Sequence, residues 1–345
     1  MGTSHNPSGP DGFRPRRWLR GGHLQTLAGN FLPRRHALPA PEERLFQVEE
    51  EVQVLCHCHW QPNRSERPTL MIVHGLEGSS NSHYVLGTGS KAFALGWNVV
   101  RMNIRNCGGT ELLTPTLYHS GLSDDIKAVI QTLIEQDSLP QVAIAGFSMG
   151  GNQVLKCVGE WGTDAPPQLI AACGISPACD LSISADEIHR PVNRVYEWWF
   201  LVGLRRRMRL KASLFPGRYD TELLRKANSI RSFDEYITAH YMGFESAEDY
   251  YTKASSSRVV DRIAVPTLVL HSKDDPFIKV SAETAAKLRA NPNVTYVETE
   301  HGGHCAFLAD PRDGYDGRWA EAQIIGFLQQ VVSRQSEQRA GLARQ

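Results

Sequence analysis

Residues 142–156 read VAIAGFSMGGNQVLK, a short apolar run that meets Gly-x-Ser-x-Gly and passes at once into a segment able to form a helix. This order of strand, tight turn and helix is the context in which a serine hydroxyl can act as a nucleophile. Gly146 and Gly150 flank Ser148 because side chains there would collide with the turn. A Gly-rich loop can show the same spacing by chance, but it has no reason to follow an apolar strand. The stretch therefore predicts that Ser148 is a nucleophile.

Composition and charge limit the kind of protein that surrounds this stretch. The chain has 345 residues, 41% hydrophobic and 21% charged, which is enough for one large α/β core and an insertion. Lys plus Arg and Asp plus Glu both number 37, so no net charge indicates a nucleic-acid partner. The seven scattered cysteines favour a reduced setting over a disulfide framework. With no apolar signal segment and no run of about 20 apolar residues, we expect a soluble, cytoplasmic protein.

Apolar segments on both sides of Ser148 predict an α/β fold. Segments with helical spacing separate them, at 82–95, from 123, after 148 and at 319–332. This alternation predicts a mostly parallel central sheet with helices on both faces. The predicted core strands are TLMIVHG (69–75), WNVVRMN (97–103), VAIA (142–145), LIAACGISP (169–177), VPTLVLHS (265–272) and VTYVE (294–298).

The pattern also divides the chain into parts. Residues 1–40 are predicted to be an N-terminal arm, partly disordered over the Gly/Pro/Ser-rich residues 1–12. Its aromatic and basic part either lies across the core or is a basic tail with incidental aromatics. Residues 41–180 and 259–335 are predicted to form the core. Residues 181–258 show helical patterns without a comparable strand signal, so we predict a helical cap insertion above the carboxyl ends of the strands.

The segment from Arg44, with the run LFQVEEEVQVLCHCHW, alternates apolar and polar residues and predicts a β-hairpin. It contains Cys56-His57-Cys58-His59, which could suggest a metal site. Alternate residues on a strand point to opposite faces, however, so only two of the four could share a metal, and no second pair follows at zinc-finger spacing. We predict neither a metal nor another cofactor.

A serine is a weak nucleophile at neutral pH, so Ser148 needs a base and a carboxylate that orients the base. The base candidates are His301 and His304, and we favour His304 because Gly302 and Gly303 leave the backbone room to present its imidazole.

The carboxylate candidates are Asp274 and Asp275, which follow the predicted strand at 265–272. We favour Asp275, which lies deeper in the turn, directly before Pro276. For the developing oxyanion, the loop after strand 69–75 and the residue after the nucleophile supply backbone N–H groups, which assigns Leu76 and Met149. The alternative is that the residues before Leu76 merely end a strand.

Seven motifs stand out along the chain: GGHLQT (21–26), HGLEGSS (74–80), LLTPTLYH (112–119), GFSMGGN (146–152), SSSRVV (255–260), SKDDPFI (272–278) and HGGHCAF (301–307). Together they resemble the YheT-like branch of the α/β hydrolases, over roughly residues 15–330. By that resemblance we expect an α/β-hydrolase fold and the triad Ser148, Asp275 and His304. The branch includes bacterial esterases, fungal proteins that make or cleave medium-chain ethyl esters, and animal relatives of which one acts on phospholipids.

The leading hypothesis is a serine hydrolase that cleaves short- to medium-chain acyl esters through an acyl-enzyme. One alternative is acyl transfer to an alcohol, which uses the same triad, and another is a non-catalytic binding protein. The apolar run 198–204 and the basic residues that follow it to 211 allow two interpretations. They are packing with a solvated face, or an acyl tunnel over Ser148 with a basic mouth that contacts lipid or acidic groups.

Overall fold

The computed structural model describes residues 12–34 and 36–342. Residues 1–11, which fall in the segment predicted to be disordered, lie outside the described residues. Within the described chain, eight strands form one sheet in the order β1-β2-β4-β3-β5-β6-β7-β8. β1 and β2 form an antiparallel hairpin, β2 pairs antiparallel with β4, and the other neighbours are parallel. The strands are β1 (Glu42–Glu49), β2 (Val52–His59), β3 (Thr69–Val73), β4 (Asn98–Met102), β5 (Val142–Phe147), β6 (Leu169–Ile175), β7 (Thr267–Ser272) and β8 (Val294–Thr299).

Helices cover both faces of the sheet. They are α1 (Gly22–Phe31), α2 (His83–Ala94), α3 (Ser123–Glu135), α4 (Met149–Trp161), α5 (Leu181–Ile188), α6 (Arg194–Leu214), α7 (Ile230–Phe233), α8 (His240–Met242), α9 (Ala247–Ala254), α10 (Ala282–Ala290) and α11 (Trp319–Leu342). A π-helical segment, Asp234–Ala239, joins α7 to α8.

Strand β5 shows how the two faces are built. Val142 and Ile144 belong to one buried cluster with residues of α3 and α4, whereas Ala143, Ala145 and Phe147 belong to a second cluster with residues of α2 and α11. Alternate strand residues point to opposite faces, so a continuous apolar run serves both clusters. The predicted mostly parallel sheet with helices on both faces is confirmed.

Three helical features differ from the sequence prediction. α1 was not predicted, because its buried face consists of Gly22, Gln25 and Thr26 and so gives no apolar period. α10 was not predicted either. α11 extends to Leu342, ten residues past its predicted end at Val332; its last turns are polar but rich in residues that favour helix.

Between β6 and β7 the chain forms α5 to α9, and the structure describes no strand there. These helices have their own buried clusters. Leu181 and Tyr251 pack with Phe277, which follows β7, and Leu204 packs with Leu117, which follows β4. Both contacts lie at the carboxyl ends of core strands, so the helices cover that edge of the sheet. Over the residues described, no helix is both long and apolar enough to cross a bilayer.

On β2, Cys56 and Cys58 point into the core, while His57 and His59 lie on the other face. His57 Nδ1 is 2.8 Å from Ser80 Oγ, and His59 Nε2 accepts a hydrogen bond from Arg101 at 3.0 Å. The four side chains therefore have separate structural roles.

The turn after β4 is tied to α3 by a buried ion pair. Arg105 Nε donates to Asp125 Oδ2 at 2.7 Å and its Nη2 donates to Oδ1 at 2.5 Å. Both side chains are almost fully buried. Arg105 Nη2 also lies 2.8 Å from Oε2 of the exposed Glu49. Removing the Asp125 charge would leave the buried guanidinium with that exposed carboxylate in place of its buried partner, which is costly.

We therefore predict that Asp125→Asn lowers the free energy of unfolding by about 3 kcal/mol, measured by denaturant titration. The control is Glu300→Gln, which removes the partner of Lys273 in an exposed pair and should leave the midpoint unchanged. Equal midpoints for the two variants would show that the buried pair does not hold the turn.

Candidate active site

Ser148 occupies the turn between β5 and α4 with φ 56° and ψ −119°, a conformation that side chains rarely adopt. Its N–H donates to Ile175 O at 2.9 Å, and its carbonyl accepts from Asn152 N–H at 3.0 Å. The turn leaves no room for side chains at its flanks. A Cβ on Gly146 would lie 2.2 Å from Gly150 O, and a Cβ on Gly150 would lie 2.3 Å from His74 O. The glycines thus permit the backbone packing that presents the serine.

The N–H groups of Leu76 and Met149 are the predicted oxyanion donors. Met149 is the first residue of α4, where helical N–H groups lack acceptors within the helix. Leu76 follows Gly75, whose ideal Cβ position lies 3.0 Å from Ser148 Cβ. Both Leu76 and Met149 line the same pocket as Ser148. The structure thus brings the two predicted donors to the serine.

His74 and Tyr84 hold Gly75 in place, a role that the sequence does not predict. His74 Nε2 accepts from Ile104 N–H at 3.1 Å, so its Nδ1 carries the proton and donates to Gly75 O at 2.7 Å. Tyr84 OH accepts the Gly75 N–H at 3.0 Å. Burial lowers the pKa of His74 to about 4, so the ring remains neutral. The only signal in the sequence was a histidine directly before a glycine at a strand end.

Asp275 and His304 form a hydrogen bond of 2.8 Å between Oδ2 and Nδ1. The other oxygen of Asp275, Oδ1, accepts from the N–H groups of Phe277 and Ile278 at 3.1 and 2.9 Å. Burial alone would raise the pKa of Asp275, but His304 and the backbone donors outweigh it and the pKa is lowered. Asp275 is therefore a fully buried carboxylate that fixes Nδ1 of His304 as the protonated nitrogen.

The two residues that were not favoured from sequence pair with each other. His301 Nδ1 lies 3.2 Å from Asp274 Oδ2 in an exposed position. Asp274 Oδ1 also accepts the Gly303 N–H at 2.9 Å. Asp274 thus anchors the backbone of the loop that carries His304.

Helix α1 supports the same loop. Thr26 Oγ1 accepts the His304 N–H at 2.8 Å, and Gln25 Oε1 accepts the Leu308 N–H at 2.7 Å. Thr26 and Gln25 belong to the GGHLQT motif. The residue spacing within that motif does not predict a contact with the loop of His304. The arm before α1 also contacts the core, since the Phe13 ring lies 5.3 Å from that of Trp319.

Cys305 is the described cysteine that is not fully buried. Its Sγ lies 3.7 Å from His304 Nε2 and 3.6 Å from Ile175 O. Burial disfavours the charged form of His304, but the Cys305 sulfur and the Asp275 carboxylate outweigh this effect, so the pKa of His304 is raised. The sulfur therefore stabilises the imidazolium at the nitrogen that Asp275 leaves free.

Ser148 opens into a pocket with mostly apolar walls. On α6, Phe200, Leu204 and Met208 line it, as expected for residues four apart on one helix face. Trp198, Trp199 and Val202 lie on the opposite face and are exposed. The hypothesis that the whole run 198–204 lines a tunnel is therefore wrong for these three residues, because the helical period separates them from the pocket.

The basic residues that follow, at 205–211 of α6, also fall partly on the pocket side and partly on the exposed side of the helix. Arg207 lines the pocket and pairs with Glu77 at 2.9 Å and Glu111 at 2.8 Å, and the buried Lys211 donates to Glu111 O at 2.9 Å. Arg206 and Arg209 are exposed.

One carboxyl group also lines the pocket. Asp234, in the π-helical segment, accepts from Thr238 Oγ1 at 2.7 Å and from Tyr251 OH at 2.8 Å. Burial raises its pKa to about 6 in spite of these donors.

A strained serine between a parallel strand and a helix, with a late Asp–His pair, defines an α/β hydrolase. The alpha/beta hydrolase fold family matches residues 68–311. The chain is 31% identical to the Escherichia coli (strain K12) protein named "Putative esterase YheT", over 94% of this chain and 95% of that protein. The chain therefore belongs to the α/β-hydrolase family, in the branch that contains YheT.

Two further similarities extend this assignment. The chain is 32% identical to mouse Phospholipase ABHD3 over 71% of its own length, and the match spans 59% of that relative. The solved structure of the Pyrococcus furiosus esterase Pf2001 matches with a TM-score of 0.55 at 13% identity, over 86% of this chain and 98% of that one. This second likeness supports the fold alone. The predicted fold and the predicted branch are both confirmed.

The two aspartates allow a matched test of the acid assignment. Asp275→Asn should lower kcat by about 10³-fold or more, because an amide cannot hold the Nδ1 proton of His304 as a carboxylate does. Asp274→Asn keeps an oxygen for the Gly303 N–H and should cost only a few fold. Steady-state kinetics on one water-soluble ester compares them, and the reverse ranking would move the role to Asp274.

The contact between Cys305 and His304 predicts a pH effect. A base must be neutral to accept a proton, so activity should be present above the His304 pKa and lost below it. Because that pKa is raised above the usual 6.5, the acid limb of kcat/KM should lie above pH 6.5. Cys305→Ala should move the limb to lower pH, whereas Cys305→Ser, which retains an acceptor, should move it less. If the acid limb of kcat/KM lies at the same pH in Cys305→Ala and in the wild type, the sulfur does not raise the pKa of His304.

Proposed function

We propose that this protein hydrolyses short- to medium-chain acyl esters through the triad Ser148, His304 and Asp275. The observation that carries the proposal is the 2.8 Å bond between Asp275 and His304, in a site where Ser148 opens into an apolar pocket. The esterase name of the E. coli relative and the phospholipase name of the mouse relative confirm the coarser prediction of an ester hydrolase.

The proposed reaction follows from which ring nitrogen of His304 is free to accept a proton. Asp275 occupies Nδ1 of His304, so Nε2 is the nitrogen that takes the proton as Ser148 Oγ attacks the acyl carbonyl. The N–H groups of Leu76 and Met149 stabilise the oxyanion. His304 then returns the proton to the leaving alcohol, and a water activated by the same nitrogen releases the acid from Ser148.

The pocket supports an acyl group as its occupant. Its walls include apolar side chains of α5, α6, α7 and α9, together with Phe277 and Ile278, which follow β7. Arg207, the arginine in the lining, is neutralised by Glu77 and Glu111, so the pocket offers no unpaired cation to an acidic substrate. In this proposal the helices of residues 181–258 act as the cap that excludes water from the acyl chain.

The nucleophile and base are tested by substitution. Ser148→Ala should abolish both ester hydrolysis and covalent labelling by a fluorophosphonate, because no other group supplies the attacking oxygen. His304→Ala should lower kcat by about 10³-fold or more. His301→Ala, which removes an exposed histidine of the same loop, is the control and should stay within a few fold. Labelling that survives in Ser148→Ala would end the serine mechanism.

Acyl preference is tested with a chain-length series of water-soluble esters. Burial of each methylene contributes about 0.8 kcal/mol, so kcat/KM should rise about fourfold per carbon until the pocket is full. Phe200→Ala enlarges the pocket and should move the optimum to longer chains, whereas Trp199→Ala, on the outer face of the same helix, should leave it unchanged. If kcat/KM depends on acyl chain length in the same way in the wild type and in Phe200→Ala, the acyl chain does not bind beside Phe200.

A further inference from the structure

Exposed apolar side chains are concentrated in two segments of the described chain. Of the 15 large hydrophobic residues that are exposed in the described part of the chain, ten lie within residues 18–31 or 192–210. Scattered exposed apolar residues are normal, but a concentrated set marks an interaction surface. These two segments comprise α1 and α6 with the residues just before them.

The outer face of α6 is apolar over its first half. Val195, Trp198, Trp199 and Val202 occupy positions i, i+3, i+4 and i+7 of the helix, which share one face, and they are 72%, 63%, 65% and 47% exposed. The inner face of the same helix lines the pocket. Since neither cluster in the cap includes these four residues, their apolar character is not explained by packing within the chain.

Helix α1 also has one face that packs on the protein and one face with exposed apolar side chains. Its buried face, with Gln25 and Thr26, packs on the loop of His304, whereas Leu24, Leu27 and Phe31 are exposed on the other side. We call the exposed side chains Leu24, Leu27, Val195, Trp198, Trp199 and Val202 the docking face.

A chain of aromatic contacts joins the two helices and connects them to the site. His23 on α1 stacks on Tyr196 of α6, with Nδ1 3.1 Å from the hydroxyl. The Tyr196 ring lies 5.1 Å from that of Phe277, and Phe277 lies 4.5 Å from His304. The docking face is therefore next to the candidate active site.

The two segments that carry this face are rich in positive charge, although the whole chain has a net charge of zero. Residues 13–34 contain five arginines and no acidic residue. On α6 the acidic residue is Glu197, which is buried and paired with His189. Among the residues described, six exposed arginines of these segments have no acidic partner. They are Arg14, Arg17, Arg20, Arg194, Arg206 and Arg209.

We propose that the docking face binds the surface of an anionic lipid membrane and thereby holds the candidate active site next to lipid. Tryptophan and aliphatic side chains can enter the headgroup region while flanking arginines contact anionic headgroups. The long arginine side chains can reach the headgroups beside the inserted residues. A second copy of this chain fits less well, because it would bring the two sets of unpaired arginines together.

Binding is tested on the full chain carrying Ser148→Ala, so that the result does not depend on hydrolysis. Vesicles of phosphatidylcholine with and without phosphatidylglycerol are sedimented with the protein at low and high salt. We expect binding to the anionic vesicles, weakened by salt and much weaker without phosphatidylglycerol. Binding to neither kind of vesicle would overturn the proposal.

Two pairs of variants locate the contact. Trp198→Ser with Trp199→Ser should lower partitioning at least about tenfold, whereas Leu45→Ser, at an exposed leucine on β1, should not. Arg206→Gln with Arg209→Gln should lower it about fivefold for each charge, with Arg225→Gln as the control because it is exposed elsewhere and paired with Glu222. Equal partitioning of the test and control variants would show that this face does not make the contact.

The same variants separate this proposal from the proposed reaction. In the background of the native Ser148, the Trp198→Ser/Trp199→Ser protein should hydrolyse a water-soluble ester at the wild-type rate. A dimer in sedimentation velocity that this double substitution dissociates, without vesicle binding, would instead assign the face to contact between copies and would overturn the proposal.

Discussion

The backbone of Ser148 is the constraint on which the rest of the site depends. Its positive φ is unfavourable in isolation and persists only because the surroundings fix it. β5 is paired on both sides in the sheet, α4 begins at the next residue, and the flanking glycines let the turn approach His74 O closely. Several independent contacts therefore hold one hydroxyl at the edge of the sheet.

The other parts of the site are held in the same way, by groups that do not take part in the chemistry. His74 and Tyr84 fix the loop of Leu76. Asp274 and Thr26 accept the N–H groups of Gly303 and His304 and so fix the backbone that leads into the His304 side chain. Because these supports are buried or partly buried hydrogen bonds, small displacements of the reacting groups would leave polar atoms unsatisfied. The arrangement thus supplies preorganisation, which acyl transfer needs at the oxyanion and at the base.

Features set by local spacing could be predicted from the sequence. The strand, turn and helix around Ser148 follow from glycine positions and an apolar run, and the choice of Asp275 over Asp274 was made from its place in the turn. Features set by contacts between distant segments could not. Thr26 meets His304 across 278 residues, and α1 has a polar buried face that gives no helical signal.

The tunnel hypothesis shows another limit on what can be predicted from sequence. The apolar composition of the run 198–204 allowed either packing or a tunnel, but only the phase of the helix decides which side chains face the pocket. Phe200 and Leu204 face it, whereas Trp198 and Trp199 face outward. The same physical fact that removes these tryptophans from the pocket makes them available to a membrane.

The central claim is that Ser148 carries the acyl group during turnover, although the thiol of Cys305 lies beside the same histidine. The most direct measurement is rapid quenching after mixing with an ester, followed by mass spectrometry of the peptides. The account predicts an acyl adduct on the peptide that contains Ser148, formed faster than it is released, and no adduct in Ser148→Ala. An adduct on Cys305, or none on Ser148 while product accumulates, would contradict it.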